Sequence, residues 1–437
     1  MPLAGMPAGA EGGVVVEGGV IAAFVAAGEW PVCDQVFDAA AHVVLPGLIN
    51  THHHFYQTLT RAYPAAINKK LFDWLTALYP VWAKITAAEF RVAVRVALAE
   101  LLLSGCTTAA DHHYLFPVGL DDAIDIEFEE AEKLGIRVVL TRGSMDLSSD
   151  DGGLPPPSVT QKIDVILRDG ERLARRWHQA GAGAMRQLAL APCSPFSVTG
   201  DLMRETAKQA ERLDLRLHTH LAETEDENAF CEQKFGKRPL DYLEGLGWVS
   251  DRVWFAHGIH FSPSEMRRMG QAGCCVAHCA SSNMILGSGI CAVGALEAAG
   301  VGVGIGVDGS ASNDASNMIA EVRQAMLLQR AGGGVLAANH FDAIRWATAG
   351  SARCLGRRDI GEIAVGKQAD LALFRLDGEL RFAGAGDPLA ALITCGASRA
   401  DRVMVAGIWR VIDGAIPGVD LAALIAAQAA GARRLAG

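Results

Sequence analysis

Eight apolar runs, each with the length and composition of a buried strand, recur along the chain at residues 43–54, 106–113, 136–145, 187–194, 215–222, 252–260, 274–280 and 301–309. Helical stretches separate them, among them residues 87–103, 122–134, 162–178, 201–213, 263–270 and 292–298. Gly105, Gly135, Gly273 and Gly300 stand where such segments should stop. Eight strands alternating with helices over roughly 300 residues predict an α/β chain, a TIM-like (β/α)8 barrel. A doubly wound open sheet shares the alternation, but it gathers its chemistry at one switch point. Here the reactive residues end many different strands.

Short strand-and-turn units occupy both ends of the chain. Residues 14–16, 20–24 and 36–38 are separated by Gly18, Gly19, Gly28 and Pro31, and residues 366–374 and 402–407 read the same way. They predict a small β-sandwich domain built from both termini, residues 1–43 and 357–437, with a C-terminal helical tail. Residues 44–356 would form the barrel. Residues 1–13 do not read as a strand, so the start is expected to be truncated or misassigned.

Composition excludes several function classes. The formal net charge of -10 argues against a nucleic-acid partner, which needs a basic face. The 10 cysteines are too irregularly spaced for a disulfide framework and read as reduced thiols. Cys274, Cys275 and Cys279 read as small filler of a buried strand rather than as a zinc cluster. There is no basic leader with a long apolar run behind it, and no uncharged apolar stretch long enough to span a bilayer. The expectation is a cytoplasmic protein with no membrane partner.

A barrel places its chemistry at the C-terminal ends of its strands. The first ends in His52-His53-His54. Side chains alternate along a strand, so His52 and His54 share a face and His53 points away. The fifth ends in His218-Thr219-His220-Leu221-Ala222-Glu223, the sixth in Ala256-His257-Gly258, and the eighth in Val307-Asp308-Gly309. Three histidines and an aspartate from such ends suit Zn2+ or Fe2+ with a position left for water. A divalent cation lowers the pKa of bound water. Glu223 is the best-placed proton shuttle. Asp308 can bind the metal and accept the water's proton, and His257 can orient the water or stabilise developing charge. Other hydrolytic signatures are missing: there is no P-loop and no G-x-S-x-G elbow, and Pro192-Cys193 continues as Ser194-Pro195-Phe196 rather than P-C-x-x-C.

Pro46-Gly47-Leu48-Ile49-Asn50-Thr51-His52-His53-His54, His220-Leu221-Ala222-Glu223, Ala256-His257-Gly258 and Val307-Asp308-Gly309 resemble the amidohydrolase superfamily over nearly the whole chain. Within it the chain is similar to the mononuclear branch of aromatic deaminases and chlorohydrolases. The resemblance implies one divalent metal held by His52, His54, His220 and Asp308, with Glu223, His257 and Asp308 as the catalytic groups. Binuclear members carry a bridging lysine on strand four, and residues 187–194 contain none. His54-Phe55-Tyr56-Gln57, Asp111-His112-His113-Tyr114 and Ala191-Pro192-Cys193-Ser194 point within this branch to deaminases of oxidised aminopurines. The implied reaction is hydrolysis of the exocyclic amine of 8-oxoguanine to urate and ammonia. Guanine deaminases typically carry Arg where Cys193 stands. Alternatives are deamination of isoxanthopterin, guanine or a related base, a triazine aminohydrolase or chlorohydrolase, and a silent binding or assembly barrel. The resemblance also implies a homo-oligomer.

Five further residues are candidates for contact with a purine or pterin base. Gln57, three residues past His54, both donates and accepts, matching an amide edge. Trp74 lies in a long insert before the first main helix and could stack on a planar base. Cys193 and His112 end strands four and two. Asn283 could orient substrate or cap a turn. No arginine cluster at the strand ends suggests a phosphate, so a free base is favoured over a nucleotide.

Overall fold

A computed structural model describes residues 12–29 and 31–437. The expectation attached to residues 1–13 falls largely outside them, although Gly12 and Gly13 open the first strand, β1 (Gly12–Glu17). β2 (Val20–Ala26) pairs with it antiparallel. Residues 36–38 are not a strand: Val36 is exposed and has no face to bury. The next strand is instead β3 (His42–Pro46).

The predicted first barrel strand is in fact two. β3 joins a four-stranded antiparallel sheet, and β4 (Leu48–Asn50) opens the barrel. Gly47 makes the crossing. Its N–H donates to the Asp370 carbonyl at 2.8 Å, and a Cβ there would lie 2.1 Å from the Thr107 hydroxyl. An apolar run reads as continuous in sequence, but only glycine lets the backbone step from one sheet to the other so close to a neighbour.

β4 is followed by β5 (Cys106–His113), β6 (Arg137–Ser144), β7 (Arg186–Pro192), β8 (Arg216–Leu221), β9 (Val253–His257), β10 (Cys275–His278) and β11 (Gly302–Ile305). These eight parallel strands close into the expected barrel in chain order. Most of their side chains are buried, because helices cover the outside and packed side chains fill the inside. On the outer layer, Gly304 allows helix Ser351–Cys354 to approach so closely that a Cβ would sit 2.8 Å from the Ser351 Cα.

β12 (Leu371–Arg375), β13 (Arg402–Val405) and β14 (Ile408–Val411) complete the four-stranded sheet in the order β14-β13-β12-β3. It faces the β1–β2 pair across a separate small core of Ile21, Ile363, Ala369, Leu371, Leu373 and Met404. The Arg137–Asp370 ion pair, fully buried, ties this unit to β6. The C-terminal helix Leu421–Ala436, grouped with the small domain on sequence, packs on the barrel: Arg434 pairs with Glu89, and Gln428 donates to Thr58.

The insert after β4 folds as helix Leu71–Trp82. Its buried positions Leu71, Trp74, Leu75, Leu78, Tyr79 and Trp82 recur at helical spacing and present one apolar face.

Candidate active site

His52, His54, His220 and Asp308 converge at the C-terminal mouth of the barrel. The His54 and His220 Nε2 atoms are 3.2 Å apart, and the Asp308 Oδ1 lies 3.3 Å from Nε2 of both His52 and His54. Each imidazole is fixed through its other nitrogen. His54 Nδ1 meets the His112 carbonyl at 2.7 Å and His220 Nδ1 meets the Cys193 carbonyl at 2.7 Å. A carbonyl only accepts, so both Nδ1 atoms carry the proton and both Nε2 atoms present lone pairs. His52 Nδ1 meets His218 Nε2 at 2.8 Å, while His218 Nδ1 is spent on the Trp254 carbonyl at 2.6 Å. His218 Nε2 therefore accepts, which leaves the buried His52 Nε2 a lone pair with no hydrogen-bond partner.

This arrangement fits a cation. Three nitrogen lone pairs and a carboxylate oxygen packed at these separations repel one another unless a positive charge lies between them. Ligand atoms about 3.3 Å apart suit bonds of about 2.0–2.1 Å to one ion, and the His54–His220, His52–Asp308 and His54–Asp308 pairs have this separation. Burial pushes His52 and His220 well below the ordinary imidazole value, keeping them neutral and able to ligate. Burial would raise Asp308, but the surrounding imidazoles of His52, His54 and His257 outweigh it and hold the carboxylate well below its usual range, and Asp308 in turn raises His54. The donor set suits a divalent metal.

Three strand-end residues around this centre have left-handed backbones: Ala222 (φ 55°), His257 (φ 71°) and Asp308 (φ 62°). Such conformations are costly for residues with a Cβ and persist where the surroundings over-determine them. They turn Glu223, His257 and Asp308 toward one point. His257 Nε2 is 3.6 Å from Glu223 Oε2 and 3.9 Å from Asp308 Oδ2. Burial and the Asp308 charge push Glu223 well above the ordinary carboxyl value. Its backbone N–H donates to Glu227 Oε2 at 3.0 Å, which pins the loop that carries it.

A cavity opens beside these groups. His54, Cys193, His220, Glu223, His257 and Asp308 line it from the strand ends, and Leu71, Trp74, Leu75 and Tyr79 from the insert helix. Trp74 spends its indole N–H on the Ala311 carbonyl at 3.1 Å, so its contribution to the cavity is its ring. Burial pushes the Cys193 thiol up to about 12, so it is neutral.

Three residues expected to touch substrate stand behind that lining. The His112 ring stacks on His220, with centroids 4.7 Å apart, and its Nε2 is held by the Ala191 carbonyl at 3.0 Å. The Asn283 Oδ1 accepts from His257 Nδ1 at 3.0 Å, fixing the tautomer that leaves His257 Nε2 facing Glu223. Gln57 is buried against Gly309, and both of its amide atoms lack a partner. His53 is accounted for outside the centre, with Nε2 2.8 Å from the Ser316 hydroxyl.

Several participants escaped the sequence reading. His218 was visible only as a residue sharing a face with His220. Ser312 lines the cavity and donates to Asp308 Oδ2 at 3.2 Å. Glu227 had a local signal, since Thr224 and Glu227 stand at the spacing of a helix N-terminus and the Thr224 hydroxyl accepts the Glu227 N–H. A second buried group of Asp111, His113 and Glu127 lies behind the first loop. There Asp111 accepts the Phe55 N–H at 2.6 Å, fixing the backbone next to His54, while rings of Tyr56, Phe90 and Phe116 wall His113.

The sequence profile of the amidohydrolase family matches residues 43–409. An 8-oxoguanine deaminase of Pseudomonas aeruginosa is 61% identical over 428 residues, covering 98% of this chain and 95% of the relative. An isoxanthopterin deaminase from an unknown prokaryotic organism is 40% identical over 408 residues, covering 89% and 84%. Among solved structures, an atrazine chlorohydrolase of Arthrobacter aurescens complexed with zinc superimposes with a TM-score of 0.91 at 32% identity, covering 96% of this chain and 94% of its own.

Proposed function

The chain belongs to the amidohydrolase family, and on that footing we propose that it is a metal-dependent aminohydrolase that converts 8-oxoguanine to urate and ammonia. The observation that carries the substrate is the near-full-length similarity to an 8-oxoguanine deaminase. The cavity adds a planar aromatic wall from Trp74 and a neutral thiol from Cys193, in keeping with a flat, uncharged base.

His52, His54, His220 and Asp308 are the proposed ligands of a divalent cation, with Zn2+ favoured and Fe2+ compatible with the same donors. When bound, the cation supplies Lewis-acid activation of a water. Asp308 Oδ2, turned away from the ligand edge, accepts a proton from the attacking water. Glu223 delivers its proton to the ring nitrogen and recovers one from the newly bonded hydroxyl as the carbonyl forms, while the proton taken by Asp308 passes to the departing amine. The water oxygen bonds to the amine-bearing carbon, the exocyclic C–N bond breaks, ammonia leaves and a ring carbonyl remains. His257 steadies the charge developing at that carbon, and Asn283 holds the imidazole in place.

The test is ammonia release by the metal-loaded protein from 8-oxoguanine, isoxanthopterin, guanine and aminotriazines. 8-Oxoguanine should be the best substrate. Glu223→Gln should lower kcat by about 10²–10⁴-fold while retaining the metal. Turnover of isoxanthopterin or guanine with 8-oxoguanine inert would refute the substrate and keep the reaction class.

A further inference from the structure

We propose that Tyr79 is a specificity-determining residue whose phenol donates a hydrogen bond to the C8 carbonyl of the oxidised purine, an inference that rests on the function proposed above. Tyr79 sits on the insert helix Leu71–Trp82, one turn beyond Trp74 and Leu75 on the same face, and lines the cavity. Its side chain is buried, at 1% exposure. Among the described residues its hydroxyl has one hydrogen-bond partner, the Met145 thioether, at 3.7 Å. A thioether is a weak acceptor. A buried hydroxyl placed on one is under-satisfied and gains by turning to a carbonyl.

Two other donors around the cavity are committed. The Trp74 indole N–H is on the Ala311 carbonyl, and the Ser312 hydroxyl is on Asp308. The Cys193 thiol lies 3.9 Å from His220 Nδ1 and is at best a weak donor. Tyr79 is thus a strong neutral donor available to a ligand. Burial pushes its pKa well above the ordinary phenol value, so it stays protonated and donates.

The substrate's shape supplies the rest. The amine to be lost is on C2, which must lie among Glu223, His257 and Asp308. C8 is at the opposite end of the bicycle, on the five-membered ring. The catalytic groups all come from strand ends, whereas Tyr79 comes from the insert that forms another wall. 8-Oxoguanine presents a carbonyl at C8 and guanine presents a C–H, so a phenol there favours the oxidised base. A site built to hydrogen-bond a substrate group discriminates against the analogue that lacks it.

The experiment compares kcat/KM for 8-oxoguanine and guanine in wild type, Tyr79→Phe and Met145→Leu, with metal content and melting temperature checked for each. In Tyr79→Phe the value for 8-oxoguanine should fall by about tenfold or more, while that for guanine changes by less than about twofold. Met145→Leu should leave the selectivity ratio unchanged. Equal losses on both bases in Tyr79→Phe, no loss on either, or the same selectivity change in Met145→Leu would overturn the proposal. If the wild type turns over neither base, the proposed function fails, and equilibrium binding then decides on Tyr79. A selective loss of 8-oxoguanine affinity in Tyr79→Phe would support its role, and an unchanged affinity ratio would overturn it.

Discussion

His52 and His54 differ from the histidine between them by one step of strand alternation, and the consequences are large. The outer pair directs Nε2 lone pairs into the proposed metal centre, whereas His53 bonds Ser316 on the other side. Metal analysis of purified variants should show the metal lost in His52→Ala and His54→Ala and largely kept in His53→Ala. His53→Ala should instead lose stability, by about 1–3 kcal/mol for a buried hydrogen-bonded group. His218→Ala should weaken metal affinity by about 10–100-fold without removing a ligand, because it frees His52 to choose its tautomer. The proposed ligands were legible because alternation and strand ends are local properties of sequence. His112 and Asn283 were misjudged because their partners, His220 and His257, lie on other strands. Only lateral packing reveals that these polar side chains are already occupied.

Among the secondary elements, the sequence reading succeeded where one periodicity ran uninterrupted. All eight barrel strands sit within the predicted runs or within a residue of them. It failed at Gly47, where two strands of different sheets meet without a polar break, and at the C-terminal helix, whose docking on the barrel has no local signal. Long-range ties join these elements. Asp359 receives two hydrogen bonds from the Arg357 guanidinium, at 2.7 and 2.8 Å, and one from the Gly183 N–H at 2.7 Å. Burial alone would raise its pKa, but Arg357 and Gly183 outweigh it and hold the carboxyl down at about 2. The folded value lies below the unfolded one, so folding favours the ionised form. The stabilisation is complete above about pH 4 and drains away as pH falls through about 2. In denaturant titrations Asp359→Asn should therefore be less stable than wild type at pH 7, with a gap that narrows toward pH 3. A gap that stays constant or widens would contradict the assignment.

For the molecule as a whole, the barrel supplies the proposed ligands and proton carriers from four separate strand ends. The insert helix closes a cavity over them, and the small two-sheet unit joins the barrel through Gly47 and the Arg137–Asp370 pair. Among the described residues no helix is long and apolar enough to cross a membrane. Tyr79 was unreadable in sequence because its role depends on which way an inserted helix turns its face once docked. The left-handed backbones at His257 and Asp308 were equally hidden, since nothing local in the sequence demands them. Together these parts are proposed to deaminate an oxidised purine at a single metal. The most direct test is to mix the metal-loaded protein with 8-oxoguanine and quantify urate and ammonia together, with Glu223→Gln as the control. Equimolar urate and ammonia are expected from the wild type, with both formed at least about 100-fold more slowly by the variant at equal metal content. Full metal occupancy without urate, or urate formation undiminished in Glu223→Gln, would contradict the proposal.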